Sequence, residues 1–387
     1  MKKVILLVTL LYTFIIHAQE NNVITTAVPF LLVAADARAA GMSDNGVATS
    51  TDGYSQQWNP SKYAFANDQQ GFSVSYTPYL TDLVNDISLA QLNYFNKYSD
   101  KSAFAASFRY FGLGDIELRT DFDSPVMVVS PNEFAFDLSY SLKLSEKFSM
   151  AVAGRYINSN LKVATDNNDA SSASSFAVDV AGFFQSEEIA YNDFNGRWRA
   201  GFNFQNMGPK MSYDNDDINR NFLPANMKLG GGFDFILDEY NKVAVNLEIS
   251  KLLVPTPQNS DLNGDGTITA EEAQQNGDAY QNIGWFGGMF QSFSDAPGGF
   301  SEELKEITYS LGSEYVYQDS FSFRAGYFYE SPDKGAREFF SLGAGFKYST
   351  IKIDVSYLFS TSKVQNPLEN TLRFSLSFNF GEKYETY

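Results

Sequence analysis

The chain has 387 residues, no cysteine, 16% aromatic residues and a formal net charge of −18. The lack of cysteine excludes disulfides, thiol catalysis, iron–sulfur clusters and cysteine zinc sites. The single histidine, His17, falls in a segment expected to be removed, which leaves no imidazole for a catalytic triad, a general base or a metal site. Strong acidity repels phosphate backbones, so no nucleic-acid partner is expected, and so many aromatics argue against disorder.

Lys2 and Lys3 form a positive start, Val4 to Ile16 is an apolar run, and Ala18 offers a small residue at a cut. Residues 1–18 therefore read as a cleaved secretory signal. Loss of the two lysines takes the mature charge to −20. The run is too short to span ~30 Å of hydrocarbon as a helix. No later stretch approaches ~20 continuous apolar residues, so an exported membrane protein of this sequence must be a β-barrel.

Residues 19–69 lack strand alternation and are rich in small residues: Ala34-Ala35-Asp36-Ala37-Arg38-Ala39-Ala40-Gly41-Met42, then Gly46-Val47-Ala48-Thr49, then Trp58-Asn59-Pro60. An apolar-leaning segment of this kind needs burial, and a hatch inside a barrel lumen would supply it. Asp36 and Arg38 would then pair with each other or with charges on the lumen face.

From residue 70 to the end at 387 the pattern is all-β. Fourteen segments alternate with period two: 70–79, 86–98, 102–111, 133–143, 148–162, 174–185, 197–207, 226–237, 242–252, 306–317, 320–330, 338–348, 350–360 and 370–380. In the last, Leu372, Phe374, Leu376, Phe378 and Phe380 alternate with Thr371, Arg373, Ser375, Ser377 and Asn379. The number is even, and the lengths suit tilted membrane strands. Connections after even segments are mostly short, as at Ser99-Asp100-Lys101 and Asp319. Those after odd segments are often long, as at Gly112–Asn132, Gly208–Ala225 and Leu253–Lys305. A soluble sandwich has no reason to sort its loops this way. An outer-membrane barrel does, with its short turns periplasmic. Strand parity turns Arg109, Arg155 and Arg324 toward the lumen as candidates for hatch contacts. Glycines among aromatics, as at Gly230-Gly231-Gly232 and Gly343-Ala344-Gly345, would relieve bending of the wall. Tyr76, Tyr98, Tyr315, Tyr317 and Tyr348 at segment ends suit an interfacial girdle.

Two external loops carry motifs. Asp261, Asn263, Asp265, Thr267, Thr269 and Glu272 occupy ligand positions 1, 3, 5, 7, 9 and 12 of an EF-hand loop, with Gly266 at the turn position. The expected ion is a structural Ca2+ ordering an acidic loop, and outside the cell even a weak site, Kd on the order of 10⁻⁴–10⁻³ M, would fill. Pro255 and Pro257 argue against a helix before it. The same loop continues with Ile283, Trp285, Phe286, Met289, Phe290 and Phe293. Of these, Ile283, Phe286, Phe290 and Phe293 lie at helical spacing. Val126-Met127-Val128-Val129 is a second apolar stretch, in another external loop. The two either pack together as a lid or present a docking surface for a partner. The carboxylate pairs Asp216-Asp217, Glu187-Glu188 and Glu302-Glu303 lie in loops and read as solvated charge. Gly230-Gly231-Gly232 has no Lys-Ser/Thr after it. No enzyme is expected.

The run Asp36–Met42, with Gly46–Thr49 and Asn59-Pro60, resembles the N-terminal hatch of the FadL-like outer-membrane family. Within it, the chain resembles the PorV (LptO) family of the type IX secretion system, over essentially the whole mature sequence. One departure is Ser61, where that family often has alanine after Asn-Pro. The resemblance implies a fourteen-stranded barrel in the outer membrane of a Gram-negative bacterium, and a role as cargo shuttle. Its implied partners are the lipid bilayer, an outer-membrane translocon of the SprA or Sov type, the C-terminal domains of secreted cargo, and a sortase-like attachment complex of the PorU type. The rivals are a FadL-like transporter of hydrophobic small molecules and a structural or adhesive barrel.

Overall fold

The computed structural model describes residues 23–80, 84, 86–119, 126–161, 172–213, 220–258, 261–362 and 366–383. The expected signal sequence lies outside the described residues. Fourteen strands form the wall: β1 (Asp68–Pro78), β2 (Ile87–Lys97), β3 (Ser102–Leu113), β4 (Asn132–Ser145), β5 (Phe148–Asn160), β6 (Ala173–Gln185), β7 (Asn195–Met207), β8 (Asn226–Ile236), β9 (Asn241–Leu252), β10 (Ile307–Tyr317), β11 (Phe321–Tyr329), β12 (Glu338–Tyr348), β13 (Ile351–Ser360) and β14 (Leu372–Lys383). Each matches one of the expected segments. Every strand pairs antiparallel with its sequence neighbours, and β1 pairs with β14, so the sheet closes with no edge. Among the described residues no helix is long and apolar enough to cross a membrane; the strands do so.

The alternation sorts side chains inside out. On β14, Leu372, Phe374 and Phe380 are exposed on the outer wall, while Arg373, Ser375 and Ser377 are buried inside. Tyr98, Tyr317 and Tyr348 lie exposed at the rim of short turns, and Tyr76 lies exposed toward the opposite rim. One bulge interrupts the ladder of β6 and β7 between Phe204 and Met207, where Asn206 has φ of 57°. It turns the Asn206 side chain inward, where it accepts from Arg155.

Residues 27–66 fill the lumen as short turns of helix: a 3₁₀ turn at Pro29–Leu32, α1 (Ala37–Ala40), α2 (Ser55–Trp58) and a 3₁₀ turn at Pro60–Phe65. No element is long, because the segment must fold back repeatedly within the ring. The glycines have a different role from the one expected. A Cβ on Gly230 would sit 2.4 Å from Val47, one on Gly326 2.4 Å from the Met42 carbonyl carbon, and one on Gly343 3.1 Å from the Gly41 Cα. These inward glycines make room for the hatch, its backbone at Gly326 and Gly343 and the Val47 side chain at Gly230, rather than bending the wall. Gly231, which points outward, has open space around it.

Candidate functional site

The hatch is held by polar bonds to strands all around the ring. The Ala37 N–H donates to Ser375 Oγ at 2.8 Å, the Ser43 N–H to Ser341 Oγ at 2.8 Å, and the Gly46 and Val47 N–H groups to Glu248 Oε2 at 2.8 and 2.9 Å. On the other side, Asn203 donates to the Trp58 carbonyl at 2.8 Å, Ser149 to the Ser61 carbonyl at 2.8 Å, and Arg109 to the Leu31 carbonyl at 2.9 Å. A segment of short turns leaves many backbone groups without internal partners. The polar lumen face supplies them.

Asp36 and Arg38 do not pair with each other. Asp36 caps α1, accepting from the Ala39 N–H at 2.8 Å, and also accepts from Trp58 Nε1 at 2.7 Å, which ties the two halves of the hatch together. Arg38 forks onto the wall residue Glu314, at 3.1 Å from Nε and 2.7 Å from Nη2, and binds Asp52 at 2.7 Å and the Ser50 carbonyl at 2.9 Å. Glu314 is itself held by Arg324 at 2.7 Å, and Arg324 pairs with Asp354 at 2.8 Å. Asn59 caps the following turn through the Ser61 N–H at 3.1 Å and donates to the carbonyls of Val47 and Gly182. Pro60 opens that turn, where a missing N–H costs nothing. The Ser61 hydroxyl donates to Asn59 Oδ1 at 2.5 Å, so the departure from alanine adds a bond inside the hatch.

Of the three lumen arginines, Arg109 touches the hatch directly and Arg324 acts through Glu314. Arg155 instead joins Asp137, Asp179 and Asn206 within the wall. Glu248, Glu314, Asp52 and Lys62 are hatch anchors that sequence reasoning missed. Lys62 is fully buried and donates to the Gly46 carbonyl at 2.8 Å and Thr49 Oγ1 at 3.0 Å. The signal available for Glu248 and Glu314 was an acid on the inward parity of a strand.

Two cavities flank the hatch. The one on the long-loop side holds about 90 Å³ and is lined by Lys228, Glu248, Glu306, Lys334 and Arg337 around Leu32 and Phe328. The one on the short-turn side holds about 390 Å³ and is lined by Arg38, Asp52, Arg197, Lys347, Lys352 and Asp354, among others. Both linings mix charged with apolar side chains.

In the long external loop, the EF-hand-like stretch leads into α3 (Ala270–Asn282), capped by Thr269 and Glu272 as a capping box. Residues 253–258 before it are not helical, as the prolines indicated. Gly266 has φ of 85°, and Asp261 accepts from the N–H groups of Gly264 and Gly266 at 2.7 and 2.6 Å. Hydrogen bonds from Thr267 hold the Asp265 carboxyl below its usual range, and those from Thr269 do the same for Glu272. The backbone turn and the hard oxygen donors fit a calcium loop. Among the described residues, however, no three acidic side chains stand close enough to form a metal cluster. The carboxylates bind backbone N–H groups instead.

The expected apolar stripe breaks in two. Ile283 ends α3, and Gly284 starts α4 (Trp285–Gln291) in an extended conformation, so Ile283 leaves the face formed by Phe286, Phe290 and Phe293. Those three phenylalanines are exposed, Trp285 is half-buried and Met289 is buried. Met127–Val129 pairs with Ile116–Leu118 as a small hairpin, on which Val126, Met127 and Val128 are exposed and Val129 is half-buried. The hairpin rises between β3 and β4 and the helices between β9 and β10, six strands away around the ring. With both surfaces open, the structure does not join them as a lid.

Asp295, in the same loop, accepts from the Thr256 N–H at 3.1 Å, while its Oδ1 is buried without a hydrogen-bond partner. Burial pushes this carboxyl up to about 6, and Glu303 and Glu306 add to the effect. The folded loop therefore holds the proton more tightly than the unfolded chain. Stability from this group is full below the ordinary value of 3.8 and is lost as pH rises through about 6. Resistance of the loop to protease should be higher at pH 5 than at pH 7.5. Asp295→Asn should abolish that difference and gain about 1 kcal/mol at pH 7.5, after discounting for a half-exposed group. An unchanged pH profile in the variant would show that another group is responsible.

Residues 16–259, more than half of the chain, match the family model described as type IX secretion system protein PorV. No curated protein matches the chain significantly. Among solved structures, the TodX deltaS2S3 mutant monoaromatic hydrocarbon channel is 13% identical, with 89% of this chain and 99% of that one covered and a TM-score of 0.50. The CymD monoaromatic hydrocarbon channel is 11% identical, with 90% and 98% covered and a TM-score of 0.50. The toluene transporter TbuX of Ralstonia pickettii is 11% identical, with 91% and 100% covered and a TM-score of 0.49. At such identities the first two likenesses bear on the fold alone.

Proposed function

The chain belongs to the PorV family of type IX secretion system proteins, and from that membership we propose that it is a carrier of secreted cargo. It is an outer-membrane β-barrel of FadL-like fold that works with type IX components, and its family is one of secretion rather than of enzymes. In the proposed cycle it takes cargo by the C-terminal signal domain at the SprA- or Sov-type translocon. It then delivers it to the sortase-like, PorU-type attachment complex.

The observation that carries the reading is the hatch that fills the lumen. The hatch bonds to the wall around the ring, so recognition of cargo falls to the external face. The hairpin of Ile116–Leu118 and Met127–Val129 is the apolar surface we assign to it. A transporter of hydrophobic molecules would need an apolar pocket at the hatch and a lateral gap. The cavities beside this hatch are lined in part by charged side chains, and each strand is hydrogen-bonded to both neighbours.

The test is affinity purification of the tagged protein from native outer membranes in mild detergent, with mass spectrometry. Secreted proteins sharing a C-terminal domain, together with a very large outer-membrane partner, are the expected yield. The barrel alone with bound fatty acid would favour the transporter.

Calcium is a separate proposal. Asp261, Asn263, Asp265 and Glu272, with Thr267 and Thr269, would hold the ion, which would supply positive charge to an acidic loop. Calcium should slow chymotrypsin cleavage of the loop, which holds Leu262, Tyr280 and Trp285, and Glu272→Gln with Asp261→Asn should remove that protection. Equal cleavage of the wild type with calcium and with chelator would end the idea.

A further inference from the structure

Helix α4 of the long external loop does not sit over the barrel mouth. Met289 of α4 is buried with Ala225 and Leu253, and Phe204, Met207, Met227 and Trp285 pack against them. Phe204 and Met227 are paired residues of β7 and β8 that point outward. Their neighbours Asn203, Gln205 and Lys228 point inward, the first two to the hatch and the third to Glu248. Helix α4 is therefore fastened to the outer surface of the wall at its upper rim. Lys251 follows in the same row, opposite Met227 on β9. It is buried beneath α5 (Phe300–Glu303), bonded to Glu303 at 3.1 Å and Glu306 at 2.5 Å. Helix α4 lies along the outside of β7–β9. Helix α5 sits at the rim, its Glu303 on Lys251 and its Glu302 at 2.6 Å from Lys334, which lines the cavity beside the hatch.

Each helix buries one face against the wall and presents phenylalanine on the other. Phe286 is 59% exposed and Phe290 65%, one turn apart. Phe300 is 77% exposed, with Leu304 exposed one turn on. The next row of the wall below is Phe202, Leu229, Ile249 and Tyr309, and the row after that contains Leu247 and Leu311. These are the outward apolar side chains of the barrel itself. The exposed phenylalanines thus continue the lipid-facing belt upward, at the point where the wall meets the external water.

We propose that α4 and α5 form an interfacial collar whose phenylalanines insert into the outer leaflet of the membrane. An amphipathic helix lying in the interface buries its apolar face at the boundary of headgroup and acyl chain. Here the wall fixes the other face, so the insertion costs little additional ordering. The continuity with the barrel's own belt selects lipid over a protein partner. It also assigns Phe286, Phe290, Phe293 and Phe300 a role apart from cargo, independent of the shuttle reading.

The chain has no cysteine, so single-cysteine variants can be labelled without background. Nitroxide labels at Phe290→Cys and Phe300→Cys would be compared with Leu247→Cys in the belt and Gln274→Cys on the exposed face of α3. The full barrel would be placed in phosphatidylcholine–phosphatidylglycerol vesicles. Power saturation with oxygen and with a water-soluble nickel chelate reads lipid against water. The two loop labels should favour oxygen several-fold, as Leu247→Cys does. Nickel accessibility equal to that of Gln274→Cys would overturn the proposal. Labels that are wet in vesicles but shielded in native outer membranes would also overturn it, in favour of a protein partner. The replaced side chains are exposed on two separate helices, and the heat-modifiable gel shift reports whether each barrel has folded.

Discussion

Replacing Arg38 with alanine should unseat the hatch while leaving the barrel folded. The guanidinium joins the hatch acid Asp52 to the wall acid Glu314, and all three groups are buried or nearly so. Removal leaves two carboxylates in a site built for a cation between them. Breaking a buried pair from one side costs about 3–5 kcal/mol, because the remaining charge has lost its partner. Glu314 retains Arg324, so the loss falls hardest on Asp52. The fourteen ladders do not depend on this residue, and the gel shift of the barrel should persist. The hatch should become cleavable by protease added from the short-turn side, and ionic conductance across planar bilayers should rise above that of the wild type. Arg38→Lys should lie between, since an ammonium cannot span both carboxylates as a fork. If the alanine variant conducts no more and is cut no faster than the wild type, the hatch is held by its backbone bonds, and the ion pairs merely fill space.

That prediction rests on a contact the sequence could not disclose, although it disclosed the two ends. The strands were legible because each alternates locally over ~10 residues, and a membrane barrel repeats that period with the apolar face outward. Loop lengths gave the sidedness for the same reason. The hatch was legible as a segment without alternation, and Asp36, Arg38 and Asn59 stood out within it. Their partners were not legible. Arg38 meets Glu314 across 276 residues, and the register that brings them together depends on the tilt and stagger of the whole ring. The break at Ile283 and Gly284 was hidden differently: the spacing of Ile283, Phe286, Phe290 and Phe293 satisfied a helix, and nothing local marked where one helix stopped and the next began. The Asn206 bulge likewise depends on the cluster around Arg155, which parity alone cannot show.

The glycines provide the sharper test, because local and tertiary physics predict opposite signs. Valine favours strands over glycine by as much as ~1 kcal/mol, so local propensity predicts that Gly231→Val and Gly326→Val both stabilise the barrel. The structure separates them. Gly231 faces outward into open space, and a side chain there only adds apolar surface to the lipid-facing wall. Gly326 faces inward, where even a Cβ would lie 2.4 Å from the Met42 carbonyl carbon and 2.7 Å from the Ser43 nitrogen. Those atoms are backbone, so no rotamer change relieves the clash. Either the hatch shifts, losing the bonds of Ser43 to Ser310 and Ser341, or the wall bulges. Overpacking of this kind costs about 1–3 kcal/mol or more, which exceeds the propensity gain. Gly326→Val should therefore lower the temperature at which the gel shift is lost, and should expose the hatch to protease as Arg38→Ala does. Gly231→Val should leave both readings unchanged or slightly improved. A Gly326→Val barrel as stable as its Gly231→Val counterpart would mean that the hatch backbone does not press on β11, and that this glycine serves the wall after all.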